Sequence, residues 1–213
     1  MTTHLGPAAV HPHSSAAPQP APVGLAITTQ IVAATWMVLA VARAIVGAVA
    51  VSSVTGGRVD PEFAFFLVDA LAGVLGLVQL LALILGGLWL YLFVVAAREI
   101  NREAWHERAA YWGPLGWIAP IVNLWFPYQV VRDGAAAVGL RSRMLPWWWA
   151  GWISLSVLAL VEGVVLSSSP YDLSPWVISM AVLAVLTVVT GVLWIVIVRS
   201  MTAAARAATT VRT

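Results

Sequence analysis

The pattern of apolar and polar positions divides the chain into four long apolar runs separated by shorter polar stretches. The runs are Gly24–Val54, Phe63–Ala97, Trp147–Leu166 and Trp176–Val198. A transmembrane helix needs about 20 apolar residues to cross a hydrocarbon core of roughly 30 Å. The last two runs match that length, whereas the first two exceed it and must tilt or project beyond the bilayer. The pattern predicts an all-α integral membrane protein with four transmembrane helices.

A fifth apolar stretch, Tyr111–Asp133, cannot cross a bilayer as a simple helix. Each of its three prolines removes a backbone donor and clashes with the preceding turn; they are Pro114, Pro120 and Pro127. We expect Gly113–Val131 to form a Pro-broken helical element, either re-entrant or interfacial, between the second and third spans.

Polar side chains give this element a candidate binding role. Asn123 is its expected organising residue, because a side-chain amide can satisfy the backbone groups that the prolines free. An amphipathic helix should begin near Tyr128, with Arg132 toward the lipid headgroups. The candidate binding residues are Asn123, Trp125, Pro127, Tyr128, Gln129, Arg132 and Asp133.

The composition agrees with a membrane location. The chain is 61% hydrophobic and 9% charged, whereas soluble domains carry roughly 25% charged residues. Its mean hydropathy is +0.91. The chain has no cysteine, which excludes disulfides, thiol catalysis and cysteine-ligated metals. The formal charge of +2 gives no reason to expect nucleic-acid binding.

Arginines set the predicted orientation. Nine of the eleven fall on one side of a four-span map, six between the second and third spans and three after the fourth. The positive-inside rule makes that side cytoplasmic and places both termini there. A fifth span over residues 111–131 would put these arginines on opposite faces of the membrane. The absence of lysine is typical of a GC-rich bacterial genome, so we expect a multi-pass protein of the bacterial plasma membrane.

Three regions follow along the chain. Residues 1–22 should form a disordered, Ala/Pro/His-rich cytoplasmic tail, because they have too little apolar surface to bury a core. Residues 23–200 should form the four-span membrane domain, and residues 201–213 a short cytoplasmic tail.

The polar stretch Ala97–Ala110 is predicted to continue the second span as a cytoplasmic helix. On that helix Glu103 and His106 would have the spacing of one di-iron ligand pair, but such sites need two pairs and further carboxylates. We expect no metal and no other cofactor. The chain also lacks a nucleophile elbow, a phosphate-binding loop and a zinc-protease helix.

Tryptophans cluster where the third span leaves the predicted cytoplasmic side, at Trp147, Trp148, Trp149 and Trp152. Indole rings prefer the headgroup level, where the ring is buried and the N–H stays wet. We therefore expect an aromatic girdle rather than a ligand-stacking cage.

Three ionisable residues lie inside the spans, Arg43, Asp69 and Glu162. By helical rise from the outer ends of their runs, all three fall in the outer half of the membrane. Unpaired charge at that depth is costly, so such residues usually pair or line a wet cavity. One hypothesis is a functional cluster facing the bundle interior, with Gln79 deeper on the second span. The alternative is a structural ion pair, or carboxylates that reach the outer surface.

One segment carries a family resemblance. Residues 116–133 read G-W-x-x-P-x-x-N-L-W-x-P-Y-Q-V-x-x-D, after a W-L-Y element at 89–91 and before the Trp-rich third span. This arrangement resembles domain-of-unknown-function family 4328, multi-span membrane proteins common in actinobacteria. The match covers residues 89–152, and the flanking spans fit by hydropathy only. At Leu92 members usually begin a basic run, which here begins at Arg98.

The resemblance implies a multi-span domain with a cytoplasmic motif, and it supplies no substrate, cofactor or catalytic residue. The leading hypothesis is a non-enzymatic membrane protein whose Asn123–Asp133 element binds a protein partner, a lipid headgroup or the cytoplasmic ends of its own helices. The second is a small oligomeric transporter or channel with a polar path at Arg43, Asp69 and Glu162. The third is a membrane-embedded enzyme, for which no catalytic set is visible.

Expected partners are the lipid bilayer and either a protein partner or further copies of the chain, with no nucleic acid. The shape of the interior can separate the two leading hypotheses. A continuous polar cavity from Arg43 to Asn123 would favour transport, whereas a sealed, dry bundle would favour partner binding.

Overall fold

The computed structural model describes residues 21–118, 121–168 and 173–210. Four of its helices are long and apolar enough to cross a membrane, namely α1 (Val23–Thr55), α2 (Pro61–Ile100), α5 (Met144–Ser168) and α6 (Ser174–Thr210). Between α2 and α5 lie two shorter helices and a 3-10 turn, namely α3 (Trp112–Leu115), the turn Val122–Leu124 and α4 (Phe126–Ala137). The predicted all-α architecture with four membrane helices is confirmed.

Local capping sets the start of α2, the longest helix at 40 residues. The Asp60 carboxylate accepts a hydrogen bond from the Phe63 N–H at 3.1 Å, which satisfies one of the free donors of the first turn. Pro61 is the first helical residue, where its missing N–H is not needed. At 1.5 Å per residue the helix is about 60 Å long and projects beyond a bilayer.

α6 passes through the boundary expected between the membrane domain and the C-terminal tail. It runs without a break to Thr210, and Met201 and Ala205 are fully buried in the core. Of the expected disordered tail, residues 1–22, all but the last two lie outside the described residues.

The predicted helical extension over Ala97–Ala110 is wrong, because α2 ends at Ile100 and the next ten residues form turns and bends. Side chains from other elements take over the backbone hydrogen bonds of this loop. Arg98 Nη2 donates to the Arg108 carbonyl at 2.8 Å, and the Glu107 N–H donates to Asp133 on α4 at 2.8 Å. The loop is thereby folded back onto α2 and α4.

Glycines permit the closest approach between the long helices. α1 packs against both α2 and α6, and α5 packs against α6. A Cβ added at Gly191 would lie 2.6 Å from the Met37 sulfur, and one at Gly47 would meet the Met180 side chain. From Met37 to Gly47 the residue numbers rise along α1, while those of their α6 partners fall from Gly191 to Met180. α1 and α6 are therefore antiparallel. Within the described residues α2 and α5 have no extensive contact, so one side of the bundle is not closed by helix packing.

The segment between α2 and α5 consists of short pieces packed on α2. Its described residues between positions 111 and 125 are called the cap below. A Cβ at Gly87 would lie 2.9 Å from Pro114 Cα, and one at Gly113 would lie 3.2 Å from the Tyr91 backbone nitrogen. The cap therefore touches α2 backbone to backbone. Its place relative to the bilayer, re-entrant or interfacial, stays a prediction.

Most of the buried core lies where α2 ends and α5 begins. We call this the arginine-rich end, after Arg98, Arg108, Arg132, Arg141 and Arg143. Trp89 and Trp148 are at most 2% exposed there, and the Trp148 ring stacks on Trp194 with centroids 5.0 Å apart. The expected girdle position is therefore wrong for Trp148, which belongs to the core together with Trp89. Trp147, 73% exposed, retains the expected surface position.

Candidate functional site

A cavity of about 270 Å³ lies between α1, α2, α5 and α6, toward the end opposite the arginine-rich end. We call it the intramembrane cavity. The lining residues of each helix are mostly three or four positions apart, so each helix presents one face. The polar lining residues are Arg43, Gln79, Ser156, Glu162 and Thr187. Two helices that barely touch, α2 and α5, both line it, so the cavity coincides with the unclosed side of the bundle.

An ion pair crosses this cavity between α1 and α5. Arg43 Nη2 lies 3.4 Å from Glu162 Oε1, and Nη1 lies 3.5 Å from the same oxygen. Both side chains are largely buried, with 17% and 12% of their surface exposed. These distances are long for a charge-assisted hydrogen bond. The ion pair therefore links α1 to α5 only weakly.

Asp69 is outside the ion pair, although the sequence hypothesis grouped it with Arg43 and Glu162. Its side chain is exposed on α2. It precedes the lining residues Ala72 and Gly76 by three and seven positions, which places all three on one helix face. Asp69 thus lies on the stripe of α2 that leads into the cavity.

Three buried donors in the cavity lining have no hydrogen-bond partner among the described residues: Trp36 Nε1, Arg43 Nε and Trp152 Nε1. Trp36 is only 9% exposed. Buried polar groups in folded proteins are nearly always paired, and leaving one unpaired costs about 1–3 kcal/mol. An acceptor within the cavity, whether water or a polar group of a ligand, would satisfy these three donors.

A second, smaller cavity of about 50 Å³ continues from the first toward the arginine-rich end. The two share Trp36, Gln79 and Trp152 in their linings. The smaller one is lined mainly by apolar groups and reaches Trp117 of the cap. In the described part of the chain Asn123 lines neither cavity, so the polar lining does not continue from Arg43 to Asn123. The interior is neither the continuous path nor the dry bundle that the sequence hypotheses distinguished.

Tryptophans close the interior at the cap. The Trp117 ring meets Trp152 edge-on with centroids 5.0 Å apart and lies within 6.3 Å of Trp148. The Trp149 indole donates to the Leu124 carbonyl at 3.0 Å, which fixes the cap to α5.

Asn123 does not hold the cap in the way the sequence suggested. Its Oδ1 is buried without a hydrogen-bond partner among the described residues. The neighbouring aromatic residues pack locally instead. The ring centroids of Trp125 and Phe126 are 6.2 Å apart, and those of Tyr128 and Trp149 are 6.3 Å apart. Pro127 is buried.

The other candidate binding residues join a polar network at the arginine-rich end. Glu107 accepts hydrogen bonds from Gln129 Nε2 and Arg132 Nη2, both at 2.9 Å. Asp133, 6% exposed, accepts from Arg132 Nε at 2.9 Å and from the Glu107 N–H. Arg108 Nε donates to Gln129 at 3.0 Å. We call these five residues the arginine–carboxylate network, and it ties α4 to the loop after α2.

The network and its surroundings shift the pKa values of Arg132 and His106. The hydrogen bond to Asp133, followed by that to Glu107, raises the pKa of Arg132 above its usual range. Burial and the nearby Arg98 charge lower the pKa of His106, against a smaller opposing effect of Asp133. The His106 Nε2 is buried without a partner in the described residues, so the neutral ring is the stable form.

The sequence pattern missed Glu107 and Arg108, because residues 97–110 read as a continuing helix. The available signal was on α4, where Gln129, Arg132 and Asp133 share one polar face. No group of three or more His, Cys, Asp or Glu side chains in the described ranges could hold a metal ion.

Comparison with known proteins decides the family. A model of the family described as Domain of unknown function (DUF4328) matches residues 56–203. The chain belongs to the DUF4328 family. No curated protein and no solved structure matches it. The DUF4328 segment contains Glu162 and the whole arginine–carboxylate network, whereas Arg43 on α1 precedes it.

Proposed function

We propose that this DUF4328 protein is a non-enzymatic membrane protein that binds an amphipathic molecule in the intramembrane cavity. The observation that carries the proposal is the set of unpartnered donors, Trp36 Nε1, Arg43 Nε and Trp152 Nε1, around a cavity of about 270 Å³. A hydrogen-bond-accepting head group would satisfy them. The apolar part of the molecule would occupy the side between α2 and α5, where lipid can reach the cavity.

In this proposal the Asn123–Asp133 element belongs to the closure of the site. Gln129, Arg132 and Asp133 already bond to Glu107 within the chain, so they stabilise the ends of the protein's own helices. This favours a role for the element in binding the ends of the protein's own helices over a role in binding a separate protein.

Native mass spectrometry of the full chain, purified in a mild detergent, tests the proposal. Replacing both cavity indoles, Trp36→Phe with Trp152→Phe, removes two donors and keeps aromatic rings. The matched control is Trp105→Phe, because Trp105 is 82% exposed and outside the cavity. We expect wild type and control to retain a co-purified small molecule and the double variant to retain roughly tenfold less. Equal retention by the double variant would contradict the proposal.

Transport is a second candidate, because the two cavities adjoin along the bundle axis through Trp36, Gln79 and Trp152. It requires the cap to move, since Trp117 closes the smaller cavity. Flux of the co-purified molecule into liposomes that contain the protein would favour transport, and tight retention without flux would favour binding alone.

A further inference from the structure

A cleft of about 500 Å³ lies at the arginine-rich end, between α4 and the start of α5. We call it the arginine cleft. It is separate from the intramembrane cavity and shares no lining residue with it. The polar residues that line the arginine cleft are Tyr128, Arg132, Arg141, Ser142 and Arg143.

The turn after α4 brings the arginines together. The Gly139 N–H donates to the Ala136 carbonyl and the Leu140 N–H to the Ala135 carbonyl, each at 2.9 Å. This pair of bonds, with Gly139 at a φ of 75°, is the Schellman motif that ends many helices. The chain therefore reverses sharply, and residues 141 and 143 join Arg132 around one cleft.

Arg141 and Arg143 carry the charge of this cleft that no carboxylate of the described residues compensates. No acidic side chain lines it. Arg132 directs Nε and Nη2 to Asp133 and Glu107, which fixes the orientation of its guanidinium. Arg141 and Arg143 are exposed, and neither makes an ion pair within the described residues. Two exposed guanidiniums without a carboxylate partner thus flank one that is held in place.

The position of the cleft along the bundle is that expected for contact with lipid headgroups. It adjoins Leu145 and Pro146 in the first turn of α5, next to the exposed Trp147. An exposed tryptophan at the start of a membrane helix is typical of the headgroup level. Arginine forks match the oxygens of a phosphate group bidentately, and basic clusters at this level attract anionic lipids.

We propose that the arginine cleft binds a phosphate group, either in the headgroup of an anionic phospholipid or as free phosphate. Arg141 and Arg143 supply the charge and the paired donors, and Arg132, held by Glu107 and Asp133, lines the cleft behind them. The Tyr128 hydroxyl can donate a further hydrogen bond.

Lipid binding to the full chain by native mass spectrometry tests the site, with short-chain phosphatidylglycerol as the probe and phosphatidylcholine as the reference. The test variant is Arg141→Gln with Arg143→Gln. The matched control is Arg199→Gln with Arg206→Gln, which removes the same charge from exposed positions on α6. We expect the test variant to bind phosphatidylglycerol roughly tenfold more weakly and the control to bind like wild type. Equal loss in both variants would reduce the effect to net charge and overturn the site.

A second arm separates the two sources of phosphate. Thermal stability is measured in phosphatidylcholine nanodiscs with and without inorganic phosphate. Stabilisation of wild type but not of the test variant, together with unchanged phosphatidylglycerol binding, assigns the cleft to free phosphate. Loss of phosphatidylglycerol binding without a phosphate effect assigns it to lipid. A test variant that matches wild type in both arms would overturn the proposal.

Discussion

The two halves of this bundle use the same residue types with opposite results. At the arginine-rich end Arg132 contacts Glu107 and Asp133 at 2.9 Å, and the backbone of the adjoining loop is satisfied by side chains. In the other half Arg43 meets Glu162 only at 3.4 Å, beside a cavity of about 270 Å³ and unpartnered donors. The difference teaches that short arginine–carboxylate hydrogen bonds tie elements together, whereas a long ion pair beside a cavity marks a candidate site.

The largest expected effect comes from breaking the closely paired network at the arginine-rich end. Asp133→Ala leaves the Glu107 N–H without its acceptor and Arg132 with Glu107 alone. We expect a cost of about 2 kcal/mol, below that of a fully buried pair, because the Arg132 side chain is 44% exposed. We expect a clear fall in the melting temperature of the detergent-solubilised protein. Asp69→Ala is the control, because Asp69 is exposed and makes no ion pair within the described residues. Similar falls for both variants would contradict the structural role of the network.

The next effect sharpens the role of the cap as a closure. Gly87→Val would drive a side chain into Pro114, whose Cα lies 2.9 Å from the position of an added Cβ, at a cost of about 2 kcal/mol. Gly73→Val is the matched control on the same helix, with nothing within 4 Å. A single cysteine at Thr190, which is 2% exposed in the cavity that the cap closes, should become more reactive to a soluble thiol reagent in the Gly87 variant only. Unchanged labelling in both would show that the cap does not depend on this contact.

A smaller effect is expected in the half with the cavity. Arg43→Leu leaves Glu162 partly buried and unpaired, and we expect a loss of about 1 kcal/mol because water can enter the cavity beside it. Arg58→Leu, in the loop between α1 and α2, should change the melting temperature less. Equal melting temperatures for the two variants would count against the ion pair.

The smallest effect is a pH dependence at the arginine-rich end. The pKa of His106 is lowered in the folded protein, so the unfolded chain binds a proton more readily. Stability is then fully present above the usual histidine pKa of about 6.5 and falls as the pH drops below it. Between pH 7.5 and pH 5 the melting temperature of wild type should fall further than that of His106→Gln. The extra fall should be at most a few degrees. Parallel curves for the two proteins would refute this contribution.

Hydropathy was sufficient to predict the four membrane helices, because each apolar run is at least as long as a bilayer requires. Proline positions likewise predicted the short pieces of the cap. Depth along the spans placed Arg43 within reach of a carboxylate but could not choose between Asp69 and Glu162, because that choice depends on how each helix is rotated. The loop after Ile100 was missed since its hydrogen bonds come from Asp133, a residue distant in sequence.

The burial of Trp148 was missed for a related reason. Composition places indoles at the headgroup level, and only the packing of α5 on α6 turns this one inward. The sequence named Arg43, Gln79 and Glu162, which line the intramembrane cavity. It could not give the shape of that cavity, which depends on α2 and α5 not packing extensively against each other in the described ranges. A sequence pattern shows which residues share a face of one helix. The burial of Trp148 and the shape of the cavity depend instead on how the helices pack against one another.

Single-cysteine labelling tests most directly whether one half is open and the other closed, since the chain has no native cysteine. Ser156→Cys lies in the intramembrane cavity and Thr190→Cys in the smaller one behind Trp36 and Trp152. We predict that a small, water-soluble thiol reagent modifies Ser156→Cys from the face opposite the arginine-rich end, and modifies Thr190→Cys from neither face. Modification of Thr190→Cys from both faces, or of neither cysteine, would contradict the account.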